Sequence, residues 1–290
     1  MSGIVMMLCL HYLQPANAGI VENALKYFPG ELFDTLYVEN NLDEGEGSFR
    51  QAIQNSNEQQ EGINVVIIRL VQDSDSVLMV KSPLPPLESN ITISISDPNR
   101  KFIIAGDSLT NSSDHGLRIM ADSVQITGLQ IRNFPGYGVL SLSSNKNIII
   151  GDNIIELNGR MNEFGDGIFI QHADSIIIRN NLIRSNQQAG IELKNCRNVR
   201  MLANEITGNQ GDGINLFLCD TVMIGDTCFD CGNLIHSNVL SGISLRECFE
   251  DTRIYNNIVG LNYETTLGFP NGQHGLLVNR CKNVFIGDQN

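Results

Sequence analysis

A glycine followed by Leu, Val or Ile returns seven times through this chain, at Gly116, Gly138, Gly167, Gly190, Gly213, Gly242 and Gly275. The intervals are 22, 29, 23, 23, 29 and 33 residues, a base period of 22 or 23 with residues added to individual units. A constant unit with variable insertions marks a solenoid, in which each turn stacks on the next and the extra residues go to the corners. Inside a unit the pattern has period two, as in Gly190-Ile191-Glu192-Leu193-Lys194 and Gly213-Ile214-Asn215-Leu216-Phe217. Period two sends alternate side chains to opposite faces of a strand, and a unit this short has no room for two helices and their turns. The chain therefore reads as a coil with three short strands per turn.

Paired asparagines mark the third run of each unit. Asn153, Asn181, Asn204, Asn233 and Asn257 are each followed five residues later by Asn158, Asn186, Asn209, Asn238 and Asn262. Stacked about 4.8 Å apart, identical amides donate to one neighbour and accept from the other, which satisfies polar groups that burial would penalise. Six residues after the glycine, four consecutive coils carry a cysteine: Cys196, Cys219, Cys248 and Cys281. Side chains in register run parallel, a poor geometry for bridging. This column is expected to pack as buried thiols.

These units resemble the repeats of right-handed parallel β-helix proteins, the pectin-lyase-like superfamily. The segment from Ile224 to Leu245, IGDTCFDCGNLIHSNVLSGISL, is similar to the IGG…GN.ISGN..GI phrase of bacterial secreted β-helix proteins. The resemblance runs from Leu36 to the C-terminus. It implies an all-β fold, a right-handed single-stranded parallel β-helix of about 8–9 coils, and it is nearly silent on activity.

A solenoid end needs a cover, because an open coil presents unpaired strand edges and apolar side chains. Ser48 followed by Gln51 forms a capping box, and Phe49, Ala52 and Ile53 give the next two to three helical turns one apolar face. This short helix is expected to cap the N-terminal end, and its surroundings are similar to the DSGPGSLRQAI cap of secreted bacterial β-helix proteins. Upstream, the apolar run Ile4–Leu13 and the small residues Ala16 and Ala18 fit a signal peptide over residues 1–18. Residues 19–62 then form an N-terminal segment with the capping helix, and residues 63–290 the parallel β-helix. The chain stops partway through a coil, so the β-helix is expected to be truncated at its C-terminus, with end-to-end self-association through the uncapped coil as a further expectation.

With 290 residues, 42% of them hydrophobic, the chain can bury one long core. A net charge of −13 argues against nucleic acid, whose binding depends on neutralising phosphates with Lys and Arg. No run is long enough to span a bilayer. Sugars, cations and other proteins remain as candidates, and a polysaccharide or cell-envelope component is the expected partner.

On such a fold, ligands meet side chains that point outward. Two residues after the glycines these are Arg118, Phe169, Glu192, Asn215, Ser244 and Leu277; four after, they include Gln171, Lys194, Phe217, Arg246 and Asn279. Glu192, Lys194 and Arg246 are candidates for one polar patch. Asp166 and Asp212 both precede a repeat glycine two coils apart, about 10 Å between backbones, close to the separation an inverting glycoside hydrolase needs between its acid and base. The same residues serve equally as turn formers. Motifs of the superfamily's known enzymes are missing: Gly272-Gln273-His274-Gly275 and Arg280-Cys281-Lys282 lie within the repeat itself, and Tyr137-Gly138 opens no epimerase motif.

Cys228 and Cys231 form a lone C-x-x-C in an insertion, where a local disulfide suits an exported protein better than zinc, which needs two more ligands. Asp73-Ser74-Asp75-Ser76 offers oxygens to calcium but lacks a spaced ligand set, so no metal or cofactor is expected. The leading expectation is a secreted or cell-surface bacterial β-helix scaffold that presents a rigid face for carbohydrate or cell-envelope binding. The alternatives are a polysaccharide lyase, epimerase or hydrolase with Asp166, Glu192, Lys194, Asp212 or Arg246 in its site, and a structural adhesin or stalk segment.

Overall fold

The computed structural model describes residues 33–59, 62–69, 76–161, 165–228 and 230–287. The proposed signal peptide, residues 1–18, lies outside them, as does most of the Asp73–Ser76 stretch. The described chain winds as a right-handed parallel β-helix whose strands fall into three all-parallel sheets of ten, eight and seven strands. Sheet A runs from Phe33–Val38 to Val284–Ile286, sheet B from Ser76–Met79 to Ile258–Val259, and sheet C from Leu117–Ile119 to Leu276–Asn279.

The inward column of each sheet is aliphatic. In sheet C, Ile168, Ile191, Ile214 and Ile243 are register partners in succession, as are Ile170, Leu193, Leu216 and Leu245, and all are fully buried. Each leucine or isoleucine buried this way is worth roughly 1.5–3 kcal/mol, so the core is a continuous column rather than a single cluster.

Sheet A begins before the helix. Phe33–Val38 pairs along its whole length with Ile63–Ile68, so the coil stack extends into the N-terminal segment, and helix α1 (Phe49–Glu58) is the excursion between the first two rungs. Ser48 caps it as its position suggests, its hydroxyl accepting from the Gln51 amide at 3.2 Å. Phe49, Ala52, Ile53 and Ser56 face the coil end, and the Phe49 ring lies 5.8 Å from that of Phe102. Arg50 holds the helix from its other side through Asp43 (2.8 Å) and the Ser82 and Pro83 carbonyls.

The asparagine ladders occupy the two corners that flank sheet B. In the first, Asn153, Asn181, Asn204, Asn233 and Asn257 are linked side chain to side chain at 2.8–3.1 Å. Eight of the ten ladder asparagines follow a residue whose left-handed backbone turns the chain. Asp152, Asn180, Ala203 and Asn256 in the first ladder, and Leu157, Ser185, Gly208 and Ser237 in the second, all have φ between 51° and 64°. The second ladder is Asn158, Asn186, Asn209, Asn238 and then Asn271, not Asn262. Residues 261–270 form an insertion, and Asn262 sits at its base, where its carboxamide oxygen accepts from the Thr266 and Leu267 amides.

The cysteine column lies at the far edge of sheet C. Cys196 and Cys219 are buried and direct their thiols at the Ile170 and Leu193 carbonyls, at 3.5 and 3.4 Å. All four cysteines of the column are free thiols, and burial pushes Cys248 up to about 11, which keeps it a protonated, unreactive packing group. Cys228 and Cys231, in the insertion between sheets A and B, are joined in a disulfide with 5.4 Å between Cα atoms.

Candidate functional site on sheet C

Sheet C presents three neighbouring outward columns. The residues just before the repeat glycines are His115, Tyr137, Asp166, Ala189, Asp212, Ser241 and His274. Two residues after the glycines come Arg118, Leu140, Phe169, Glu192, Asn215, Ser244 and Leu277. Four after, Gln171, Lys194, Phe217, Arg246 and Asn279 are successive register partners. Because parallel strands stack in strict register, residues spaced a full repeat apart in sequence become next neighbours.

The structure brings all five candidate residues onto this face, in two clusters. In the first, Lys194 reaches back along its own strand to Glu192 at 3.0 Å, and the Asn215 amide donates to the same carboxylate at 3.0 Å. Asp166 is almost fully buried beside them and accepts from the Ala189 amide at 2.8 Å. Ala189 carries only a methyl group at this point of the column. Burial, and then the adjacent Glu192 charge, push the Asp166 carboxyl well above the usual aspartate range. Asp166 therefore holds its proton more tightly than an ordinary aspartate, next to a Glu192 carboxylate that pairs with Lys194.

Tyr137 and His115 complete this cluster, and neither stands out in the sequence. The Tyr137 ring packs 5.1 Å from that of Phe169 and 5.2 Å from His115. Burial and the Asp166 and Glu192 charges raise its hydroxyl to about 12, so it remains a proton donor. Burial, with Arg118 nearby, lowers His115 to about 4; its Nδ1 accepts from the Tyr137 amide at 3.2 Å, so the ring is neutral at physiological pH. The available signal was register: both residues precede a repeat glycine, as Asp166 and Asp212 do. Phe169 points outward yet is buried, covered by Tyr137 and by the Lys194 ammonium 4.9 Å above its ring.

In the second cluster Asp212 accepts from the Ser241 amide at 2.7 Å, and its other oxygen lies 4.0 Å from the Arg246 guanidinium. Burial raises its pKa as well. Arg246 pairs with Asp212 and not with Glu192, because Asn215 and Phe217 occupy the rung between. Both aspartates thus accept the backbone amide one coil further on, and each is fixed by its turn while its carboxyl group also meets a side chain of the sheet face, Glu192 for Asp166 and Arg246 for Asp212. Among the described residues, no group of three or more His, Cys, Asp or Glu side chains converges as a metal site.

An acid whose folded-state pKa is raised costs stability as pH climbs from the ordinary aspartate value toward the raised one, because the folded state holds its proton more tightly than the unfolded chain. Asp166→Asn keeps an acceptor for the Ala189 amide and supplies a permanent donor to Glu192. We expect its melting temperature to exceed that of the wild type by a few degrees at pH 7 and to vary less between pH 4 and 8. A lower melting temperature for Asp166→Asn at pH 7 would contradict the raised Asp166 pKa.

Two overlapping stretches, residues 89–229 and 161–288, match the family model for a right-handed β-helix region. No curated protein matches the sequence. Among solved structures, the A-module of a mannuronan C-5 epimerase from Azotobacter vinelandii aligns at 16% identity and TM-score 0.54, over 93% of this chain and 71% of that one. A pectate lyase aligns at 11% identity and TM-score 0.53, over 88% and 79%, and a periplasmic alginate epimerase at 18% and 0.50, over 77% and 60%. Identities this low establish a shared fold. The chain spans about 60% of the length of that periplasmic epimerase.

Proposed function

This chain belongs to the right-handed β-helix family, and from that premise we propose that it is an exported carbohydrate-binding β-helix whose ligand lies along the outer face of sheet C. The observation that carries this reading is the composition of that face over three consecutive coils. Glu192 with Lys194, Asn215 with Phe217, and Arg246 on the third coil place charge, amide and one half-buried aromatic ring on a rigid parallel lattice. Sugars present hydroxyls to the former and a C–H face to the latter, and few other ligands use both in alternation. The fold neighbours that act on alginate, mannuronan and pectate support the ligand class, and the periplasmic one supports a place in the cell envelope or outside the cell.

Immobilised glycans, followed by calorimetry with alginate- and pectate-derived tetrasaccharides, test this. Phe217→Ala and Lys194→Ala are each expected to weaken binding at least tenfold. Retention of no glycan, or full affinity in Phe217→Ala, would overturn the reading.

A second reading, a polysaccharide lyase, epimerase or hydrolase, is favoured by one feature: Asp166, whose pKa burial raises, lies beside Glu192 with Tyr137 and Lys194 in reach. A carboxyl that holds its proton above the ordinary aspartate range is suited to act as a general acid. Formation of unsaturated or reducing ends, or of an inverted sugar, that disappears in Asp166→Asn would establish it; binding without turnover leaves the scaffold. Neither binding nor turnover would favour a structural stalk.

A further inference from the structure

Ser244 is an outward-facing residue of sheet C and is nevertheless completely buried. Its hydroxyl makes no hydrogen bond to any described residue, and neither does the side-chain oxygen of Asn215, its register partner one coil back. The Asn215 amide nitrogen is committed to Glu192 at 3.0 Å, which fixes the carboxamide and turns its oxygen away from Glu192. Two adjacent buried polar atoms without partners are rare in a protein interior, and each is costly to leave so.

Arg246 is the long side chain placed to cover them. It lies two residues beyond Ser244 on the same outward face, yet its guanidinium is directed at Asp212, which precedes Asn215 by three residues on the neighbouring coil. To reach Asp212 the arginine side chain runs back along the strand over Ser244 and Asn215. It is held there by a single contact of 4.0 Å, with half its side chain in solvent. A separation of 4.0 Å is too long for a hydrogen bond, so the half-exposed guanidinium is only loosely held.

We propose that Ser244 and Asn215 form a sugar-hydroxyl subsite beneath the Arg246 side chain. A sugar hydroxyl donates to the Asn215 oxygen while accepting from the Ser244 hydroxyl, and so satisfies both atoms at once. Arg246, displaced from Asp212, and Asp212 itself then offer a donor and an acceptor to the adjacent hydroxyl of the same ring. Phe217, on the same strand as Asn215 and pointing to the same side, provides the apolar platform. The subsite therefore selects a ring with vicinal hydroxyls. This assignment rests on the carbohydrate reading of sheet C and locates its specificity in the coils that carry Asp212 and Arg246.

Ser244→Ala separates recognition from structure, because removing a buried hydroxyl that has no partner in the protein does not weaken the fold. The expected result, read by calorimetry with alginate- and pectate-derived tetrasaccharides, is at least a tenfold loss of affinity with a melting temperature equal to or above that of the wild type. Asn215→Leu, which removes the oxygen, is expected to lose as much affinity as Ser244→Ala. Unchanged affinity in Ser244→Ala alongside weakened binding in Phe217→Ala overturns the subsite and leaves the carbohydrate reading standing; the niche then holds solvent only. A parallel fall in melting temperature and affinity for Ser244→Ala overturns it in favour of a structural role. If the wild type binds neither tetrasaccharide, both assignments fail.

Discussion

Asn204→Ala should lower the unfolding free energy by at least about 3 kcal/mol, the cost of three orphaned buried groups at roughly 1–3 kcal/mol each. Asn204 is 1% exposed and stands at the centre of the first ladder. Its side-chain oxygen accepts from the Asn181 backbone amide at 3.1 Å and from the Asn181 carboxamide at 2.9 Å. Its amide nitrogen donates to the Ile178 carbonyl at 2.8 Å and to Asn233 at 2.9 Å. Truncation leaves two donors of Asn181 and one carbonyl of the neighbouring coil without partners, at a corner that water cannot reach. Asn262→Ala is the matched control: the same chemical change in an exposed loop, expected to cost under about 1 kcal/mol. Urea unfolding of both variants, followed by far-UV circular dichroism, provides the comparison. Equal costs for the two substitutions would show that the ladder does not hold the coils together.

The contrast between Asn204 and Asn262 also shows what the sequence could and could not reveal. A five-residue spacing identified nine of the rungs correctly and then selected Asn262, because an insertion happens to place an asparagine at that interval. Counting backward from the following glycine finds the right residue: Asn186, Asn209, Asn238 and Asn271 each lie four residues before Gly190, Gly213, Gly242 and Gly275. Register along the coil axis is set by the rung that follows, so the downstream glycine is the better ruler.

The solenoid and the outward columns were legible because they depend on periodicity, and the helix because Ser48 and Gln51 mark its start. The state of the outward residues was not. Period two assigns Phe169 and Ser244 to the solvent side of the strand, and both are buried, one beneath Tyr137 and Lys194 and the other beneath Arg246. What lies over a sheet is decided by long side chains from other coils, whose direction leaves no periodic trace. The corner residues were equally opaque: Leu157 and Ala203 adopt left-handed backbone conformations normally reserved for Gly or Asn. Stacking on both sides imposes that geometry, overriding local preference.

Gly213→Ala should be as damaging as the loss of a ladder asparagine, although it adds only a methyl group. A Cβ at Gly213 would lie 2.6 Å from the Gly242 carbonyl oxygen, 2.7 Å from the Ile235 side chain and 2.9 Å from the Asn238 amide nitrogen. The first of these is backbone on the next coil, and it also accepts the Ile214 amide at 2.9 Å. The methyl group therefore cannot be accommodated by a rotamer change. It must push two coils apart at the point where sheet C begins, straining the hydrogen bond beside it and the second asparagine ladder behind it. Overpacking of this kind typically costs about 1–3 kcal/mol, and the disturbed ladder contact places Gly213→Ala at the upper end of that range. The same approach of carbonyl to glycine recurs at Gly138, Gly167, Gly190 and Gly242, at 2.6–2.8 Å, so the repeat glycine is retained for clearance and not for turning. Gly268→Ala, where an added Cβ meets nothing within 4 Å, isolates the effect of the glycine itself. Thermal unfolding should show Gly213→Ala melting well below both Gly268→Ala and the wild type; coincident melting curves would mean that the coils can separate at this corner without cost, and the glycine column would lose its explanation.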